Sequence, residues 1–194
     1  MNKISAGIIG CGNIANFHAG GYKSSPDAEI VACCDIDVKK AESFALRYGI
    51  PHFYGSCDEM LAKHKLDAVS VCTWNNAHKE CTVKALESGA NVICEKPMAM
   101  SAIEAQVMEQ AAEKSGKLLM IGFVRRYGND TDALRDFISA GVLGDIYYTK
   151  ATYLRRNGCP GGWFGDKRYS GGGPLIDLGV HVMDLVRYLS GSPL

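Results

Sequence analysis

Four clusters in the chain combine residue types and spacings that could do chemistry. The first is Gly10-Cys11-Gly12-Asn13-Ile14-Ala15, a G-x-G-x-x-A turn, with Asp35 lying 23 residues beyond Gly12. In such a turn Gly10 permits a tight reversal, Gly12 lets a pyrophosphate approach the backbone, and Ala15 lets the following helix pack close to its strand. Asn13 and Ile14 open that helix, whose free N–H groups and dipole favour phosphate. Asp35 would accept hydrogen bonds from a ribose 2′-OH and repel a 2′-phosphate, which favours NAD, while Lys39 and Lys40 nearby leave NADP possible. The competing readings are a purely structural turn and an Asp35 that only caps it.

The second cluster, Thr73-Trp74-Asn75-Asn76-Ala77-His78, leaves a strand-like run at its carboxyl end, where open α/β sheets bind ligands. Thr73, Asn75 and His78 are therefore candidate cofactor contacts, with Asn75 suited to a ribose or a nicotinamide amide. Equally, Asn75 or Asn76 could cap the next helix, and His78 could be a partly exposed helix residue. The third cluster, Glu95-Lys96-Pro97, sits at another such edge; Pro97 drives Lys96 into extended backbone, in a cis or trans bond, and gives the lysine a fixed direction. By itself it also reads as a surface Lys–Glu pair. In the fourth, Asp177, His181 and Asp184 recur at helical spacing on a segment otherwise apolar. A carboxylate beside a histidine raises its basicity and fixes its tautomer, as a general base requires; a satisfied core His–Asp pair is the alternative.

These residues need elements to position them. Short apolar runs of strand type lie at 4–9, 29–34, 67–72, 91–94 and 118–122, separated by helical patterns at 13–23, 38–48, 57–64, 77–88 and 101–115. Asp37 caps the second helix, Ser101 and Glu104 form a capping box on the fifth, and Gly49, Gly89 and Gly116 follow helix ends. Strand and helix alternate, and runs such as Ile30–Cys34 are apolar almost throughout. Residues 1–123 therefore form a doubly wound, parallel α/β domain. Residues 124–194 change character: a helix at 130–140, a strand-like segment Asp145–Leu154, a Gly-rich loop Asn157–Gly173 and an apolar helix from Pro174 to Leu189. A lone strand needs partners, so this region reads as the opening of an incomplete α+β domain in a truncated chain; pairing with another copy, or with an edge of the first sheet, is the alternative.

With 21 Lys+Arg against 21 Asp+Glu in 194 residues, the chain has no basic excess to attract nucleic acid or an anionic membrane. No apolar stretch approaches the ~20 residues of a membrane span, and no signal peptide is evident, so the cytoplasm is expected. Eight cysteines without a Cys-x-x-Cys pair read as reduced, mostly buried thiols, and no metal site is expected.

Taken in order, GCGNIA, CTWNNAH, EKP, GFVRRY and GGGPLIDLGVHVMDL resemble the Gfo/Idh/MocA family, named for glucose–fructose oxidoreductase and inositol dehydrogenase. The resemblance runs the length of the chain. It implies a Rossmann domain, a second α+β domain that often mediates homo-oligomers, a nicotinamide cofactor, and sugars, cyclitols or their derivatives as substrates. It makes Lys96, Asp177 and His181 the catalytic set, which also touches substrate. It brings Arg126 near the substrate, and Trp163 and Glu95 with Lys96 near the cofactor. The reaction implied is reversible oxidation of a secondary alcohol, His181 taking the hydroxyl proton while Asp177 orients it. A non-catalytic NAD- or sugar-binding sensor, and a lyase or glycosidase that uses redox transiently, are the rivals.

Overall fold

The computed structural model describes residues 3–191, so the expected domain limits at residues 1 and 194 lie outside the described residues. The chain divides into two compact units, Met1–Ile121 and Gly122–Leu194.

In the first unit strand and helix alternate: β1 (Ile4–Ile9), α1 (Ala15–Ser24), β2 (Ala28–Cys34), α2 (Val38–Tyr48), β3 (His52–Tyr54), α3 (Cys57–Lys63), β4 (Ala68–Val71), α4 (His78–Glu87), β5 (Asn91–Cys94), α5 (Ala102–Ser115) and β6 (Leu119–Ile121). The sheet is parallel throughout, in the order β3-β2-β1-β4-β5-β6. The chain winds outward from β1 in one direction, then restarts at β4 in the other, so the carboxyl ends of β1 and β4 border the crevice where such sheets take ligands. β3 is absent from the sequence reading: it has three residues, two of them exposed, too few for a periodic signal.

Alternation along the strands sends successive side chains to opposite faces. Ile8 and Cys33 join Ala15, Ala19, Phe44 and Ala45 on the face of α1 and α2. Ile9, Cys34, Val69, Val71, Val92 and Cys94 meet Met60, Leu86 and Met108 on the face of α3, α4 and α5. Helix ends follow local chemistry. Asp37 accepts from the N–H groups of Lys39 and Lys40, and Ser101 from Glu104, while Gly49 and Gly116 end α2 and α5 in left-handed backbone. The return half of the expected capping box is displaced by one residue, since Glu104 accepts from the Met100 N–H at 3.2 Å.

The second unit holds α6 (Asn129–Ser139), α7 (Lys167–Ser170) and α8 (Val180–Ser190), with short 3₁₀ turns at Val124–Tyr127 and Gly162–Gly165. Two expectations are corrected here. Asp145–Leu154 forms no strand: among the described residues no strand pairs with it, and an unpaired segment has no ladder to satisfy its backbone. The helix expected from Pro174 opens instead as a π-turn over Leu175–Gly179 before α8 begins, and the Gly-rich loop encloses a turn of helix. None of the helices among the described residues is long and apolar enough to cross a membrane.

Leu86 is fully buried in the larger core cluster. Leu86→Ala is expected to remove about 2–5 kcal/mol of stability, read as a lowered urea midpoint with an unchanged slope.

Candidate functional site

At the end of β1 the backbone of Gly10 turns with φ +89°, and a Cβ added there would lie 2.7 Å from the carbonyl oxygen of Cys72, just past β4. The position excludes every side chain twice, by dihedral and by space. Gly12, two residues on, is the opposite: a Cβ there would meet nothing within 4 Å. The open side of the turn is thus wide enough for a ligand to reach the main chain. α1 begins directly afterwards with no side chain capping its N-terminus, and Ala15 is fully buried against the sheet. The turn is braced from β2: Asp35 Oδ2 accepts from the Cys11 N–H at 2.8 Å and Oδ1 from the Asp37 N–H at 2.9 Å. Each oxygen keeps lone-pair capacity for a hydroxyl donor, so bracing the turn and receiving a ribose are compatible. These features fit a dinucleotide: open backbone at Gly12, an uncapped helix start for phosphate, and a carboxylate beside them.

The edge formed by β4 and β5 is arranged differently from its sequence reading. Asn75 is 5% exposed and opens a 3₁₀ turn, Asn75–Ala77, with Trp74 preceding it. The Thr73 hydroxyl donates to the Trp74 carbonyl at 3.2 Å. His78 is 1% exposed, and its Nδ1 lies 2.7 Å from the Pro97 carbonyl and its Nε2 3.2 Å from that of Thr73. Burial holds this imidazole below the usual histidine range. A neutral ring carries one N–H, so it donates to only one of these two carbonyls, and its burial corrects the expectation of a partly exposed residue. Lys96–Pro97 is a cis peptide. Glu95 also faces inward: Oε1 meets His18 Nε2 at 2.9 Å and Oε2 accepts from the Lys96 N–H at 3.2 Å.

In the second unit Asp177 lies within the π-turn and His181 in the first turn of α8. Arg155 Nη1 donates to Asp177 Oδ2 at 3.3 Å, and the Tyr153 ring stacks on His181 with centroids 6.2 Å apart. The Arg125 guanidinium lies 5.7 Å from the centre of that tyrosine. Tyr153, Arg155 and Arg125 are absent from the sequence reading. Their signal is faint: residues two apart in an extended segment project to one side, so 153 and 155 can both face a helix. Asp184 does not join Asp177 and His181. It is 8% exposed and bonded through both oxygens to Arg126, by Nε at 2.8 Å and by a short contact from Nη2. That bond is the chief cause raising the Arg126 guanidinium above its ordinary value, and the same group stacks 5.1 Å from the Tyr188 ring centre. Arg126, expected at the substrate, is thereby an anchor between the 3₁₀ turn and α8. Trp163 stacks on Phe164 at 3.9 Å within its own turn.

Five of the eight cysteines are buried thiols, Cys11 and Cys57 are half-buried and Cys159 is exposed. Among the described residues no group of three His, Cys, Asp or Glu side chains could hold a metal ion.

Comparison with known proteins adds to this geometry. Residues 4–123 match the model described as GFO/IDH/MocA oxidoreductase family, NAD-binding Rossmann fold, and residues 131–194 match the GFO/IDH/MocA C-terminal domain. D-glucoside 3-dehydrogenase of Escherichia coli is 44% identical over 194 residues, covering 99% of this chain and 55% of that protein. Glucose-6-phosphate 3-dehydrogenase of Bacillus subtilis is 36% identical over 200 residues, covering 99% and 55%. Thus the chain spans about half the length of the curated relatives it matches. Among solved structures, an oxidoreductase domain protein from Kribbella flavida superposes with a TM-score of 0.91 at 28% identity, covering 98% of this chain and 53% of that one.

Two substitutions separate the roles of the glycines. Gly10→Ala is expected to cost roughly 1–3 kcal/mol in thermal or urea unfolding, the scale of a forced backbone conformation. Gly12→Ala should leave stability within about 0.5 kcal/mol but weaken NAD binding by ~10-fold or more, about 1.4 kcal/mol. In the second unit, Arg126→Ala strands a buried carboxylate and should lower stability by roughly 1–3 kcal/mol; an unchanged melting curve would contradict the anchor role.

Proposed function

Because this chain belongs to the GFO/IDH/MocA oxidoreductase family, we propose that it oxidises, reversibly, a secondary hydroxyl of a sugar with NAD as hydride acceptor. The observation that carries this reading is the braced glycine turn, closed to side chains at Gly10 and open to a ligand at Gly12. The substrate class comes from the relatives: two of them are named for oxidation at position 3 of a glucose derivative, so the 3-hydroxyl of a gluco-configured sugar or glucoside is the proposed target. Asp35 favours NAD over NADP by repelling a 2′-phosphate. Eight free thiols suit a reducing cytoplasm, the proposed compartment, and a homo-oligomer is the proposed assembly.

Gly12 and the start of α1 would hold the pyrophosphate of the dinucleotide, whose nicotinamide would supply the two-electron sink for the carbon-bound hydrogen. The remaining work falls to side chains. His181 receives the hydroxyl proton as the C–H bond breaks, a task suited to an imidazole near neutral pH. Tyr153 packs along its ring, which restricts how the imidazole turns. Asp177, proposed to orient His181, is itself held by Arg155. Lys96, presented from the end of β5, is the first unit's candidate to hydrogen-bond the reacting oxygen.

Purified protein incubated with NAD and glucose, glucose 6-phosphate or an alkyl glucoside should form reduced nicotinamide. His181→Ala is expected to slow that turnover by at least ~100-fold while NAD affinity stays nearly intact. Dinucleotide binding with no reduction by any polyol would overturn the enzymatic reading in favour of a sensor. A native mass spectrum of the same sample reports subunit number and any retained dinucleotide.

A further inference from the structure

Strand alternation places one polar residue where the core is otherwise apolar. Val69 and Val71 of β4 enter the cluster beneath α3, α4 and α5, so Ser70 between them faces α1; it is fully buried. On α1, His18 and Tyr22 are four residues apart and share the inward face. On β5, Val92 and Cys94 join the same cluster as Val69, so Glu95 emerges on the side of Ser70. Their polar atoms form one chain: Tyr22 Oη to Ser70 Oγ at 3.0 Å, Ser70 Oγ to His18 Nδ1 at 3.0 Å, His18 Nε2 to Glu95 Oε1 at 2.9 Å. Glu95 Oε2 then accepts the Lys96 N–H at 3.2 Å. The His18 and Glu95 side chains are only 14% and 13% exposed, so each would be costly to bury unpaired.

We propose that His18 and Glu95 are positioning residues for Lys96, fixing its backbone through this chain of hydrogen bonds rather than contacting the cofactor. The proposal rests on the reading of Lys96 as a substrate-facing group. The donor order follows from the groups. A carboxylate only accepts, so His18 must present Nε2–H to Glu95. In the neutral ring Nδ1 then accepts from the Ser70 hydroxyl, which accepts in turn from Tyr22. Each of these polar atoms has a partner, and both Glu95 oxygens are engaged, one by His18 and one by the peptide N–H of Lys96. This assigns Glu95, expected at the cofactor, a role one bond removed from it. Because a reacting group displaced by about 1 Å can cost as much as 100-fold in rate, a brace on the lysine's own N–H matters to turnover.

The test reads the brace and the chemistry separately. Long-range ¹H–¹⁵N spectra of the full chain should show His18 protonated at Nε2; an unprotonated Nε2 overturns the proposal. His18→Leu removes the donor to Glu95 and is expected to shift the Lys96 amide resonance and lower kcat about 10-fold or more. The KM for NAD should stay within about 2-fold. His18→Gln, which can offer an N–H in place of Nε2, should restore the resonance and most of the turnover; a purely space-filling role would not distinguish these two variants. Should His18→Leu fail to fold, Ser70→Ala leaves His18 in place, removes its partner at Nδ1, and should move the same amide by less. A Lys96 amide that is indifferent to these changes overturns the proposal, even where turnover falls. If wild-type protein turns over no sugar, the proposed function fails, and the Lys96 amide alone decides the brace.

Discussion

The approach of Gly10 to the backbone just past β4 is the constraint on which the rest of the first unit depends. β1 and β4 are hydrogen-bonded neighbours, yet the chain leaves them in opposite windings, so a crevice opens at their carboxyl ends. The turn can stay tight enough to leave that crevice free only where a carbonyl oxygen may sit 2.7 Å from the place a Cβ would occupy. With that position closed, Asp35 can reach back to the Cys11 N–H, α1 can start close to the sheet through Ala15, and the Gly12 backbone is left facing space. None of these features is worth much alone. Together they turn backbone N–H groups, which carry no sequence identity, into a site of fixed shape.

Polar side chains around this crevice brace backbone. His78 lies 2.7 Å from the Pro97 carbonyl, Asp35 holds Cys11 and Asp37, and Glu95 holds the Lys96 peptide. The economy is physical. Loops at a strand edge leave N–H and C=O groups without ladder partners, and a buried one left unmatched costs as much as a lost hydrogen bond. A side chain that satisfies such a group also fixes the loop. At a ligand edge the same residues therefore serve packing and positioning, and spacing alone cannot separate a group that touches a ligand from one that holds its neighbour.

That ambiguity marks how far the sequence could be read. Five of six strands and all five helices of the first unit follow from apolar runs, caps and glycine stops, because each is set within a few residues of itself. β3 is missed for want of length. Glycine roles were legible for the same local reason. The direction of Glu95, the burial of His78 and the pairing of Arg126 with Asp184 depend on partners 19 to 77 residues away, and no local pattern encodes them. Asp145–Leu154 errs the other way: its residues have strand character, but a strand exists only with a neighbour to pair with.

The second unit shows what a helical spacing argument omits. Asp177, His181 and Asp184 are spaced for one face of an α-helix, yet the first lies in a π-turn and the last is spent on Arg126. Widening the turn at Leu175–Gly179 changes the angle between Asp177 and the residues that follow, and such turns recur at functional sites. Arg155 and Tyr153 then hold Asp177 and His181 individually, one by an ion pair and one by ring contact. A buried carboxylate tied to arginine is an anchor, whereas the histidine three residues earlier lies along an aromatic ring. The division between Asp184 and His181, three residues apart on α8, is therefore decided by which neighbours reach them rather than by the helix that carries them.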